Sequence, residues 1–207
     1  MSLTRNPFRS LVASLAIVLT LGLLSIGQVS AKTEKTANSA TANVHIKNFG
    51  QMDDRFFRGA QPKAEDFKDL KALGIQTVID LRDDPVSYEK SAVEALGMRY
   101  VNIAMSDKKY PKEEQIAAFL KLVDDPSTGK FYVHCAGGRH RTGVIGAVYR
   151  YNYYHWNFDQ VYKEMKDYDF YTSWGHGDMK KYVEDYWQHI QAKSVASNVA
   201  TPATQGN

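Results

Sequence analysis

The sequence predicts an α/β fold with a mainly parallel central sheet flanked by helices. Three observations predict it. Short apolar runs rich in Val, Ile, Phe and Tyr alternate with segments whose apolar residues recur at helical spacing. Glycine or proline stands at most of the boundaries between them. No long internal repeat interrupts the alternation, and strands that alternate with helices lie parallel in a sheet covered on both faces.

The first element is Phe56-Phe57-Arg58-Gly59, a short strand closing at a glycine. Pro62 then suits the first turn of a helix that runs to about Leu73 and stops at Gly74. Thr77 to Leu81 is a β-branched run of buried-strand type, and Asp83-Asp84-Pro85 is a turn. Tyr88 to Leu96 makes a short helix ended by Gly97, and Tyr100 to Ile103 a third strand. Pro111 opens a helix with Ile116, Phe119, Leu120 and Val123 on one face. Phe131-Tyr132-Val133 is the next strand and delivers His134 and Cys135 at its carboxyl end, where ligands of such sheets bind. Thr142 begins a helix with Val144, Ile145 and Val148 turned inward. Asn157 to Gln191 reads as two or three helices rich in Tyr, Trp and Lys, with Trp174-Gly175-His176-Gly177-Asp178 an aromatic-glycine turn that either lines the pocket entrance or, as its sequence favours, is a plain loop between two of them.

The ends read differently. Arg5 and Arg9 precede an uncharged apolar run from Leu11 to Ile26, and Val29-Ser30-Ala31 supplies small residues at cleavage spacing, which predicts a signal peptide over residues 1–31. An uncleaved anchor is the alternative, since the run approaches spanning length. The small-residue exit favours cleavage, and export to the periplasm or medium without a stable membrane anchor. Residues 32–43 read as a flexible linker, 44–191 as the folded domain and 192–207 as a disordered tail.

Of the 207 residues 43% are apolar and 24% charged, as in one ordinary globular domain. Removing residues 1–31 takes away two arginines and no acids, lowering the formal charge from +3 to +1. That balance gives no support for a nucleic-acid partner, and the aromatics near the end come without a basic patch. The single cysteine, in an oxidising compartment, is either an inert core residue or a reactive one.

Its neighbours decide: His134-Cys135-Ala136-Gly137-Gly138-Arg139-His140-Arg141-Thr142-Gly143. A strand delivers a thiol into a loop with two adjacent glycines, where the backbone can curl and turn successive N–H groups toward one point. The loop enters a helix N-terminus, which favours an anion, so residues Ala136 to Arg141 form a phosphate cradle. The same positive field lowers the pKa of Cys135 and makes it a nucleophile. Arg141, six residues on, can hold two phosphoryl oxygens bidentately. Thr142 can donate to the sulfur, or serve only as a cap. Arg139 and His140 either meet substrate or face solvent.

The segment matches the His-Cys-x5-Arg-Thr/Ser signature and so resembles the protein tyrosine phosphatase superfamily in its dual-specificity branch. The Gly-Arg-His-Arg-Thr-Gly ending and Phe57-Arg58-Gly59-Ala60-Gln61-Pro62 are similar to compact dual-specificity phosphatases of bacteria, plants and fungi, over roughly residues 50–165. The resemblance implies a cysteine phosphatase fold and hydrolysis of phosphate monoesters through a phosphocysteine on Cys135, with no cofactor and no metal. It implies that His134 orients the loop and that an aspartic acid follows the strand before the helix leading into the cysteine strand, which points to Asp107. Asp83 and Asp84 compete but are explained as a turn, and Asp124 and Asp125 belong at the opposite sheet edge. The implied substrate is a phosphorylated protein or a small phosphorylated molecule, an inositol phosphate among them. The alternatives are a phosphate-binding pseudophosphatase and thiolate sulfur or arsenate chemistry, the latter needing a second thiol. Trp174 to Asp178 holds one histidine and one acid, too few for a metal.

Overall fold

Phe56 and Phe57 are both buried, in two different apolar clusters. Successive strand residues point to opposite faces, so this strand must be covered on both sides. The same holds for Val78 and Ile79, and for Tyr132 between Phe131 and Val133. The computed structural model describes residues 43–199. Its sheet contains β1 (Gly50–Gln51), β2 (Phe56–Ala60), β3 (Ile75–Arg82), β4 (Arg99–Met105) and β5 (Lys130–Cys135). The order is β1-β2-β5-β3-β4, parallel throughout except for β1, which runs antiparallel to β2.

Helices α1 (Asp66–Ala72) and α2 (Glu89–Ala95) cover one face, through Phe67, Leu70 and Val93. Helices α3 (Glu113–Asp124), α4 (His140–Tyr154), α5 (Phe158–Asp167) and α6 (Gly177–Val199) cover the other, through Phe119, Val144, Ile145, Val148, Val161 and Met179. Burying each large apolar side chain contributes roughly 1.5–3 kcal/mol, and that is what drives the layers together. The register sets Cys135 beside Ala60, and His134 between Gly59 on one neighbour and Asp80 on the other. Cys135 thus ends the strand at the middle of the sheet.

Three expectations change. The first helix starts at Asp66, not at Pro62, because the Asp66 carboxylate accepts the Lys63 N–H at 2.8 Å and the Pro62 carbonyl accepts the Tyr88 hydroxyl at 2.8 Å, which holds residues 62–65 outside the helix. Helix α4 begins at His140, two residues before Thr142. Of the two or three helices expected between Asn157 and Gln191, two are present. The second continues to Val199, so residues 192–199 are helical and not tail. Alanine and lysine there are good helix formers, and Ser194 Oγ donates back to the Gln191 carbonyl at 2.8 Å. The signal peptide at 1–31, the linker at 32–43 up to its last residue, and the tail from 200 on lie outside the described residues.

Candidate active site

Between β5 and α4 the chain makes a tight loop over residues 136–139. Only one of its glycines is demanded by geometry. Gly138 has φ +66°, and a Cβ there would lie 2.4 Å from the Gly59 carbonyl carbon and 2.7 Å from the Ala60 nitrogen, both backbone. At Gly137 the nearest neighbour to a Cβ would be the Arg139 side chain at 3.7 Å. The loop carbonyls are tied from outside. Gln61 N–H donates to Ala136 O at 3.3 Å, Asn48 Nδ2 to Gly138 O at 3.1 Å and Gly137 O at 3.4 Å, and Arg58 Nη2 to Gly138 O at 2.7 Å. A peptide unit carries its C=O and N–H on opposite sides, so fixing these carbonyls outward turns the amides toward the loop's hollow.

Cys135 is buried at the floor of that hollow. Burial pushes its thiol up. The hydroxyl and N–H of Thr142, the Arg141 guanidinium and the Arg139 N–H outweigh it and hold the thiol below its ordinary range. Thr142 Oγ1 is itself buried and makes no hydrogen bond to nitrogen or oxygen. Arg141 is 5% exposed, and its Nη1 donates to Asp83 Oδ1 at 2.8 Å and to Met105 O at 3.0 Å. Both bonds use one nitrogen, leaving Nη2 and Nε free of hydrogen bonds to the described residues.

His134 is fully buried, with Nε2 2.7 Å from Glu89 Oε1 and Nδ1 3.9 Å from Asp80 Oδ1. These three residues have the types of a metal site. Asp80 accepts from Tyr100 Oη at 2.9 Å and Arg82 N–H at 2.8 Å, and Glu89 Oε2 from Gln61 Nε2 at 2.7 Å, while Glu89 Oε1 and both His134 nitrogens are buried with no hydrogen-bond partner among the described residues. The cluster packs two buried carboxyl groups around the imidazole that precedes Cys135. Burial keeps the Asp80 carboxyl above the usual range, despite the lowering effects of His134, the Arg82 N–H and the Tyr100 hydroxyl.

The candidate acids separate by their partners. Asp83 is bound to Arg141. Asp84 makes a two-point pair with Arg82, at 3.1 and 2.9 Å, and that hydrogen-bonding guanidinium holds its carboxyl low. Asp124 accepts from Tyr153 and Asp125 caps the turn before β5, at the far edge of the sheet as the sequence implied. Asp107 lies just beyond β4, exposed, its carboxylate free of any hydrogen bond or ion pair to the described residues. Its backbone is held: His176 Nδ1 sits 2.9 Å from Asp107 O. The His176 ring stacks on His140, centroids 3.6 Å apart and 15° between planes. Arg139 is half-buried, with Nε 3.8 Å from Asp169 Oδ2 and its guanidinium 5.9 Å from the Tyr171 ring. Of the two cradle residues left open by the sequence, His140 faces the protein and not solvent.

The residues whose roles sequence reasoning missed are Asn48, Arg58, Gln61, Asp80, Asp83, Glu89 and His176. Arg58 had a visible signal, a charge inside an apolar strand run; it is 1% exposed and stacks on Tyr168 at 4.0 Å. Asp83 was given to the turn. The others meet the loop only through sheet register and helix packing.

With this geometry the chain was compared with known proteins. A family model described as "DSP-PTPase phosphatase fused to NAD+ Kinase" matches residues 30–181. The chain is 26% identical over 165 residues to the dual specificity protein phosphatase TpbA of Pseudomonas aeruginosa, covering 78% of this chain and 74% of that protein. It is 28% identical over 121 residues to the inositol diphosphatase DSP2 of Oryza sativa subsp. japonica, covering 56% of this chain and 59% of that protein. In fold it is similar to the core catalytic domain of the PP-IP phosphatase SIW14 from S. cerevisiae in complex with citrate, with a TM-score of 0.60 at 20% identity over 76% of this chain and 96% of that one.

Proposed function

This chain belongs to the DSP-PTPase phosphatase family, and from that membership we propose how its residues hydrolyse a phosphate monoester. The Cys135 thiolate attacks phosphorus opposite the leaving oxygen. The S–P bond forms as the P–O bond breaks, and Asp107, as a carboxylic acid, gives its proton to the departing oxygen. Water then attacks the phosphocysteine and loses a proton to the Asp107 carboxylate. The S–P bond breaks, inorganic phosphate leaves and the thiolate returns, with the Thr142 hydroxyl donating to the sulfur. Arg141, through Nη2 and Nε, and the amides of residues 136–141 hold the phosphoryl oxygens as they spread in the transition state. His134 keeps the loop in place. Asp107 suits the acid because it is the carboxylate at this edge that no guanidinium engages.

One observation carries the assignment: a fully buried thiol whose pKa is nevertheless lowered, at the floor of a loop whose carbonyls are tied outward. The test is hydrolysis of an activated aryl phosphate by residues 32–207, wild type beside Cys135→Ser, in chelator and reductant. Activity in the wild type alone is expected. Turnover by Cys135→Ser would end the covalent mechanism, and inactivity of both with phosphate still bound would make the protein a sequestering one.

The first substrate reading is a phosphorylated protein. The second is an inositol phosphate, favoured by cations at the rim, Lys108 and Lys109 beside Asp107 and Arg139 on the loop, and by the activity named for the rice relative. A panel of phosphotyrosyl peptides and inositol phosphates separates them. Export rests on Arg5, Arg9, the apolar run Leu11 to Ile26 and the exit at Ala31. Retention of the protein in the cytoplasm would contradict export, and an exported protein whose intact mass still includes residues 1–31 would contradict cleavage.

A further inference from the structure

The loop between α5 and α6 does more than connect them. Trp174 and Gly175 both have positive φ, +61° and +89°. Gly175 adopts this conformation freely, but a tryptophan in the left-handed region is costly and persists only where the surroundings impose it. The effect of the two is to throw Trp174 outward, 83% exposed, and His176 inward, 6% exposed. Gly175 passes close to the acid loop, since a Cβ on it would meet Lys108 Cδ at 3.5 Å. His176 touches two elements at once. Its ring stacks on His140 at the end of the phosphate loop, and its Nδ1 faces the Asp107 carbonyl at 2.9 Å. A carbonyl only accepts, so Nδ1 carries the proton.

We propose that His176 is a positioning residue that fastens the acid loop to the phosphate loop, setting Asp107 relative to Cys135. The neighbours fit this role. His140 is walled by Phe170 and Tyr171, with centroids 5.2 and 4.3 Å away, so the stacked pair has one place to sit. His140 stays uncharged at neutral pH, its pKa pushed down to about 4 by burial and by His176, so no repulsion between imidazolium rings opposes the stack. The loop's flanks are tied by Arg141 to the Met105 carbonyl and by Tyr110 Oη to Asp185, but among the described residues His176 makes the one hydrogen bond to Asp107 itself, and a misplacement of about 1 Å can cost a catalytic group about 100-fold.

The inference rests on Asp107 as the acid, and its test separates the two. His176→Phe keeps a ring to stack but loses the donor; His176→Asn keeps a side-chain N–H near the Nδ1 position but loses the ring. Each is assayed beside Asp107→Asn on phenyl phosphate, a poor leaving group, and on a nitrophenyl phosphate, an activated one. We expect His176→Phe to lose about tenfold or more of kcat on the first and about twofold or less on the second, with part of the loss restored in His176→Asn. Amide hydrogen exchange over residues 106–110 rises in His176→Phe while the melting temperature stays near that of the wild type. If Asp107→Asn discriminates between leaving groups and the His176 variants lose equally on both substrates, or lose nothing, the coupling is overturned. If Asp107→Asn does not discriminate, the acid assignment falls and takes the coupling with it.

Discussion

In the proposed mechanism Arg141 divides its nitrogens between resting contacts and substrate. Its Nη1 is held by Asp83 and by the Met105 carbonyl, which fixes the plane of the guanidinium and leaves its other nitrogens for phosphate. The Asp83 side chain is 53% exposed, so the pair is worth only roughly 0.2–1 kcal/mol, a factor of about 1.5 to 5 in binding. Its charge also opposes that of an incoming dianion. Asp83→Asn keeps an acceptor for Nη1 and removes the charge, so KM for an aryl phosphate should fall by up to about fivefold with kcat little changed. Asp83→Ala removes the acceptor too and should lower kcat. Identical constants in all three proteins would show that the pair plays no part in turnover. The sequence made Cys135 and Arg141 legible because their spacing is local. Asp83 was not, since Asp-Asp-Pro is already sufficient as a turn and its partner lies 58 residues away. The Asp80–His134–Glu89 cluster was hidden for the same reason: it needs the β3–β5 register and the first residue of α2.

At the scale of elements, the phosphate loop is shaped by what stands behind it. Strand β2 supplies Arg58, and the turn before β1 supplies Asn48, so two elements outside the signature hold its carbonyls. Strand β2 also presses backbone against Gly138, which explains why one glycine of the pair is indispensable. Gly138→Ala combines a left-handed conformation, costing roughly 1–2 kcal/mol, with a clash against backbone that cannot rotate away. It should lower kcat/KM by more than about 100-fold and reduce the melting temperature. Gly137→Ala meets only the flexible Arg139 side chain at ordinary contact distance and should stay within a few-fold of wild type. Equal damage from both would mean that flexibility, not fit, is what the glycines provide. Helix α4 was read from three apolar residues, Val144, Ile145 and Val148, yet it is buried all round from His140 to Tyr151 because α3, α5 and α6 close over it. Periodicity reports a helix half-sunk in a surface and has nothing to say about one enclosed by others.

Across the whole molecule, the strand ends of β2, β3, β4 and β5 bring the cradle, Asp83, Asp107 and Cys135 to one edge, and the α5–α6 loop returns to close it. The alternation of elements made that edge legible; the returning loop was legible only as the less favoured of two readings of Trp174 to Asp178, and its contact with His140 was not, because His176 lies 36 residues beyond it. This closure has a consequence for stability as a function of pH. His140 has a native pKa of about 4, against about 6.5 when unfolded. Between those values the unfolded chain binds a proton that the native protein does not. The contribution of His140 is therefore complete above about pH 6.5 and is lost as pH falls toward 4. Asp80 acts in the opposite sense: its native pKa is raised by burial, so the folded state takes up that proton first and offsets part of the loss at the acid end. The denaturant midpoint should accordingly decline from pH 7 to pH 5. In His140→Gln the midpoint at pH 7 drops with the lost stack, but the decline between pH 7 and 5 flattens. A decline of unchanged steepness in that variant would place the titrating group elsewhere, and would mean that the stacked pair at the mouth of the site contributes no pH sensitivity to the fold.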